Sequence, residues 1–139
     1  LRNKLDNINV IKNYGDLPEI DCYMGKLNQV FMNIIGNAIH AIKANRNVTP
    51  KGVLTITTEN LGDNISISIR DNGTGMDEKT RLKIFEPFFT TKEVGQGTGL
   101  GLSIVFNIIH ESHNGKIEVN SVKGEGTEFV LILPKVQTT

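Results

Sequence analysis

Glycine recurs at alternate positions in the run Gly95-Gln96-Gly97-Thr98-Gly99-Leu100-Gly101-Leu102-Ser103. A backbone so free of side chains can bend closely around a ligand. Directly afterwards Leu102, Ile104, Val105, Ile108 and Ile109 recur with helical spacing. The glycines therefore lead into a helix N-terminus, whose unpaired N–H groups attract anions. A phosphate chain suits this chemistry, and a flexible surface loop is the other use of the same residues. The chain contains neither Gly-x-x-x-x-Gly-Lys-Ser/Thr nor Gly-x-Gly-x-x-Gly, so the two commonest nucleotide fingerprints are absent.

Several other elements must position this run. From about Gly25 to Ala44, Leu27, Val30, Phe31, Ile34, Ile35, Ala38 and Ile42 follow the i, i+3, i+4, i+7 rule of an amphipathic helix. Asn33 and Asn37 lie four apart on that helix, on one flank of its apolar stripe. Residues 8 to 13 read as a strand followed by a loop, and Asp21 to Tyr23 as a second, very short strand. Val53 to Glu59 and Asn64 to Arg70 alternate around Leu61-Gly62-Asp63 as a β-hairpin. That hairpin ends in the sharp turn Asp71-Asn72-Gly73-Thr74-Gly75-Met76, after which Asp77 can cap a short helix reaching about Ile84. Phe85 to Lys92 carries three aromatics and Pro87. The helix after the glycines is expected to end near His113, with Asn114-Gly115 as a left-handed cap. Lys116 to Val122 and Thr127 to Leu133 form a second hairpin, and residues 136–139 a frayed end. Hairpins mixed with single helices predict an α+β two-layer sandwich, with about three helices on one face of a mixed, mainly antiparallel sheet.

Bulk properties narrow the function. The 139 residues can bury a core in one domain without disulfide or metal support. Fifteen basic and fifteen acidic residues give zero formal charge, which argues against nucleic acid or an anionic membrane as the partner. Cys22, the one cysteine, cannot form an internal disulfide and reads as a small apolar residue, which makes the cytoplasm the expected compartment. The longest apolar run, Phe129 to Leu133, is far too short for a membrane span. A start at Leu1 without methionine reads as an excised fragment, with residues 1–7 trailing from a preceding domain or linker and 8–135 forming the functional unit.

Four motifs stand in one order: Asn33 and Asn37 on a helix, Asp71 to Gly75 after a strand, Phe85 to Lys92, and Gly95 to Gly101 before a helix. This pattern resembles the N, G1, F and G2 boxes of the catalytic ATP-binding domain of bacterial sensor histidine kinases. The wider family includes gyrase, heat-shock chaperone and mismatch-repair ATPases. The wording Glu86-Pro87-Phe88-Phe89-Thr90-Thr91-Lys92 beside Gly97 to Leu102 is most similar to kinases of the nitrogen-regulation type. The resemblance implies a Bergerat-type fold, ATP and Mg²⁺ as cofactors, and phosphoryl transfer to histidine.

The residue types agree with those roles. Asp71, at the end of a strand, can accept a hydrogen bond from the adenine amine, and a water shared with Thr127 could read the neighbouring ring nitrogen. The same Asp71 can instead close an ordinary turn onto Gly73. Asn37 offers a neutral oxygen suited to a Mg²⁺ that keeps several waters, or simply bonds nearby backbone. Lys92 and His40 are candidates for phosphate contact. Gly73, Gly75, Gly97, Thr98, Gly99, Leu100 and Gly101 complete the nucleotide-binding set. The Phe85 to Thr98 segment is expected to be mobile without ligand and ordered by a triphosphate.

Phosphoryl transfer needs positioning and charge neutralisation, and all of these residues serve the donor side. In the resembled family the acceptor histidine lies in a helical dimerisation domain, and His40, His110 and His113 do not fit that role. The resemblance therefore implies three partners or states: a helical phosphoacceptor domain of the same protein, a response regulator, and a homodimeric parent with a monomeric fragment. A gyrase-like ATPase and a noncatalytic nucleotide-sensing module are the alternatives. In the gyrase-like hydrolases, the position one turn before the Mg-binding asparagine is a glutamate that activates water. Here it is Asn33, which can orient a water or a phosphate oxygen but cannot take a proton.

Overall fold

The computed structural model describes residues 8–15, 20, 22–45, 51–86 and 101–136. In order, its elements are β1 (Ile8–Tyr14), α1 (Met24–Ala44), β2 (Gly52–Asn60), β3 (Asn64–Asp71), α2 (Glu78–Arg81), α3 (Gly101–Asn107), β4 (Lys116–Val122) and β5 (Gly126–Pro134). A π-helical turn, Ile108–Ser112, continues α3. The strands form one sheet in the order β1-β2-β3-β5-β4. Only β1 and β2 pair in parallel, which requires a crossover, and α1 supplies it. The other pairs are antiparallel, and two of them are the expected hairpins.

Burial follows the sequence periodicity. On α1 the residues Leu27, Val30, Ile34, Ala38 and Ile42 are buried, three and four apart, against β2, β3 and β5. Along β5, Thr127, Phe129, Leu131 and Leu133 are buried at every second position. Cross-strand register lines these residues up in apolar rows: Ile69 beside Phe129 beside Val119, then Ile67 beside Leu131 beside Ile117. Burying a side chain such as Leu131 contributes about 1.5–3 kcal/mol, and truncating it to alanine would cost about 2–5 kcal/mol. The result is the expected two-layer α+β sandwich, with a mixed sheet and three helices. No helix among the described residues is long and apolar enough to cross a membrane.

Two local expectations need correction. Cys22 and Tyr23 do not form a strand. Tyr23 instead caps α1: its carbonyl accepts the Leu27 N–H at 2.9 Å, while its own N–H donates to His113 Nε2 at 3.0 Å, so no neighbouring strand is needed. Asp21 lies outside the described residues. The helix begun by Asp77 is shorter than expected, because after Arg81 the hydrogen bonds tighten to Lys83 N–H to Thr80 carbonyl and Glu86 N–H to Lys83 carbonyl. The start is as expected, with Asp77 Oδ1 accepting the Thr80 N–H at 2.8 Å. The helix after the glycines ends at His113 and is followed by Asn114 with a left-handed φ of 52°, both as expected, although beyond Asn107 it widens into the π-helical turn. The fully buried His113 holds that widened end, with Nδ1 donating to the Ile108 carbonyl at 2.8 Å. The proposed leading segment 1–7 and residues 137–139 lie outside the described residues.

Candidate functional site

The apolar rows of the sheet give way at one end to a polar one. Asp71 on β3 pairs with Thr127 on β5, and Thr127 pairs with Ser121 on β4. All three lie on the face towards the helices, because each is two residues along its strand from a core position, Ile69, Phe129 or Val119. Asp71 is only 5% exposed. Burial pushes its carboxyl up from 3.8 to about 6, although backbone N–H groups of Gly73 and Thr127 donate to it and pull in the other direction. Desolvation outweighs the two hydrogen bonds, so ionised Asp71 is held at a cost that a further donor would relieve.

The turn after Asp71 is tightly built. Asp71 Oδ1 accepts the Gly73 N–H at 2.8 Å, so the ordinary turn closure anticipated for this residue is present. An ionised carboxylate has about four lone-pair sites, and the turn does not exhaust them. Asn72 clamps the turn to β2, with Oδ1 accepting the Val53 N–H at 2.8 Å and Nδ2 donating to the Lys51 carbonyl at 2.9 Å. Asn45 Nδ2 donates to the Asn72 and Gly73 carbonyls at 3.3 and 3.1 Å. Gly73 must be glycine here, since a Cβ would lie 2.6 Å from the backbone carbon of Ala41 on α1. Gly75 has φ of 65°, and a Cβ there would run into the Val122 carbonyl.

Helix α1 connects this turn to the end of the glycine run. Asn33, Asn37 and Ala41 are each four residues apart, hence on one flank. At one end, Asn33 Nδ2 donates to the Gly101 carbonyl at 3.4 Å. At the other, the Ala41 carbonyl accepts the Thr74 N–H at 3.3 Å and the Ala41 backbone packs on Gly73. Eight residues at 1.5 Å each separate the two ends by about 12 Å along the helix. Asn37, half-buried, lies midway. The structure thus brings together Asn33, Asn37 and Gly101 along α1 and joins them to Asp71, Gly73, Gly75 and Thr127. His40 is exposed and is not drawn into this arrangement by any contact described above. Lys92, Gly97, Thr98, Gly99 and Leu100 lie outside the described residues, as does most of the Phe85 to Thr98 segment.

A groove of about 410 Å³ wraps the polar end of the sheet, lined by Arg70, Asn120 and Glu128 on the outer face as well as by Asp71, Ser121 and Thr127. None of the α1 asparagines lines it. The groove and the α1 flank meet at the Asp71–Gly75 turn: Asp71 and Thr127 line the groove, and Asn33 and Asn37 lie on the flank whose Ala41 end packs on Gly73. Among the described residues no cluster of three or more His, Cys, Asp or Glu could hold a metal. Asn37 offers a neutral oxygen, a donor compatible with a Mg²⁺ that keeps several waters and takes its other ligands from phosphates. Sequence reasoning missed Asn45 and Ser121. Asn45 had a weak signal as an asparagine at a helix C-terminus; Ser121 had none, because its role depends on cross-strand register.

Residues 24–137 match the family model described as histidine kinase-, DNA gyrase B-, and HSP90-like ATPase. The chain belongs to that family, and within it is a catalytic domain of the sensor histidine kinase kind. It is 42% identical to the sensor histidine kinase ZraS of Escherichia coli O157:H7 over 118 residues, 85% of this chain and 24% of ZraS. The chain therefore spans about a quarter of that relative's length. Among solved structures it is similar to the nucleotide-free catalytic domain of histidine kinase ThkA, with a TM-score of 0.82 and 31% identity, covering 98% of this chain and 87% of that one. It is also similar to full-length ShkA in complex with AMPPNP, with a TM-score of 0.78 and 28% identity, covering 99% of this chain and 27% of ShkA.

Proposed function

We propose that the chain binds Mg-ATP along the α1 flank and donates the γ-phosphoryl group to a histidine on a helical dimerisation domain of the same protein. The observation that carries this reading is the α1 flank itself. Its Ala41 end abuts the Asp71–Gly73 turn, and its Asn33 end meets Gly101, where the glycine run ends. Asp71 would accept the adenine amine, and Thr127 would share a water with it. Asn37 would hold the metal through its amide oxygen. Bound Mg²⁺ would neutralise phosphate charge. Asn33 would orient a phosphate oxygen, and Gly73 and Gly75 would shape the turn that presents Asp71 to the base, by letting it pack against Ala41 and Val122. Lys92, His40 and the glycines from Gly97 to Gly101 would contact the phosphates. We assign the nucleotide-binding unit to residues 8–135.

The similarity to ShkA, whose structure contains AMPPNP, supports nucleotide binding, and the similarity to ZraS supports the kinase reading. The wider assignments follow the same reading: a cytoplasmic domain, a homodimeric parent, a response regulator downstream, and the nitrogen-regulation subtype suggested by residues 86–92. Calorimetric titration of Mg-ATP tests the reading directly. Absence of binding would refute it.

A further inference from the structure

We propose that Ser121 is a positioning residue for base recognition: it accepts a hydrogen bond from the Thr127 hydroxyl and so leaves Thr127 beside Asp71 as a hydrogen-bond acceptor. The inference rests on the reading that Asp71 and Thr127 recognise the base, and it adds how the row is made selective. A serine hydroxyl has one donor and two acceptor sites. At Ser121 all three have partners. The Met76 N–H donates to Ser121 Oγ at 2.8 Å. The Gly126 carbonyl, which can only accept, lies 3.1 Å from Ser121 Oγ and accepts the hydrogen bond of its hydroxyl. Thr127 Oγ1, at 2.8 Å, is then left to donate into the remaining lone pair. The one proton of Thr127 is thereby committed towards β4, and Thr127 keeps only lone pairs for other partners.

Two neighbouring acceptors, Asp71 and Thr127, select a ligand that brings donors to both. The exocyclic amine of adenine serves Asp71. A bridging water can serve Thr127 with one proton and has its other proton to donate to the unprotonated ring nitrogen N1. With Ser121 removed, the Thr127 hydroxyl rotates freely and can donate to that water, so the water's orientation is no longer set. Ser121 also ties the turn to the sheet, since it holds Met76 while the Gly124 N–H donates to the Thr74 carbonyl at 2.6 Å. A readout separate from stability is therefore needed.

The test compares Mg-ATP with Mg-1-deaza-ATP, in which a CH replaces N1, on the parent, Ser121→Ala and Ser121→Thr, each at a temperature where its melting curve shows it folded. The parent should prefer ATP by several-fold, up to about tenfold, the range of one neutral hydrogen bond. Ser121→Ala should lose most of that preference, and Ser121→Thr, which keeps the hydroxyl, should retain it. A merely structural Ser121 would weaken both nucleotides by the same factor. If Ser121→Ala keeps the full preference for ATP, the proposal is overturned while the base-recognition reading stands. If the parent shows no preference, or Asp71→Asn binds ATP as tightly as the parent, the base-recognition reading fails and takes this proposal with it.

Discussion

Replacing Asp71 with asparagine should separate folding from binding, because the two respond in opposite directions. Raising the carboxyl from 3.8 in the unfolded chain to about 6 in the fold corresponds to about 3 kcal/mol held against folding at neutral pH. The sign follows from linkage. Because the native state binds the proton more tightly, the penalty is fully present above about pH 6 and fades as the pH falls towards 3.8. The Asp71→Asn amide carries no charge and escapes this penalty, and its oxygen can still accept the Gly73 N–H. Its NH₂ would then face the Thr127 N–H, a donor against a donor that costs about 1–3 kcal/mol. The ligand-free variant should therefore be as stable as the parent, or about 0–2 kcal/mol more so. Nucleotide binding should move the other way. Loss of one charge-assisted hydrogen bond to the adenine amine costs about 1.5–3 kcal/mol, roughly tenfold to a hundredfold in affinity. The parent should also lose up to about tenfold between pH 7.5 and pH 5, because a carboxyl raised to about 6 is mostly protonated at the lower pH. Isothermal titration of Mg-ATP at both pH values measures this, with the variant's own pH dependence subtracting the titration of the nucleotide phosphates. Equal affinity of variant and parent at pH 7.5, or equal pH dependence of the two, would refute the reasoning.

Because Asn33 lacks a basic carboxylate, the isolated chain should bind Mg-ATP yet release phosphate about 10²–10⁴-fold more slowly than an enzyme with a general base. It should phosphorylate a histidine only when the helical domain is supplied in cis or in trans; robust multiple-turnover hydrolysis would favour the gyrase-like reading, and failure to phosphorylate an authentic partner domain the sensing module. Gly73→Ala should destabilise the fold by about 1–3 kcal/mol in chemical denaturation, because its Cβ meets the Ala41 backbone, and an unchanged midpoint would contradict the tight contact. His113→Ala should cost about 2–5 kcal/mol by the same assay, since it empties a fully buried ring site and leaves the Tyr23 N–H without its acceptor.

Local pattern made much of this protein legible. The 3.6-residue period of Leu27, Val30, Ile34, Ala38 and Ile42 determined α1, and alternation around Leu61-Gly62-Asp63 and Lys123 to Gly126 determined the two hairpins. The order of the four motifs determined the family before any contact was known. Tertiary structure decided what depends on pairing between distant segments. Asp71 and Thr127 are far apart in the chain, and only the β3–β5 register sets them side by side with Ser121 in one polar row. The strand expected at Cys22–Tyr23 failed for a similar reason: His113, ninety residues away, supplies the partner for the Tyr23 N–H. Asn45 likewise serves carbonyls at Asn72 and Gly73. Periodicity reports which face of an element is apolar, a property of neighbouring residues. Register, burial of a carboxylate and the direction of a hydroxyl proton arise only when separate elements meet, because they depend on partners that proximity in sequence does not supply.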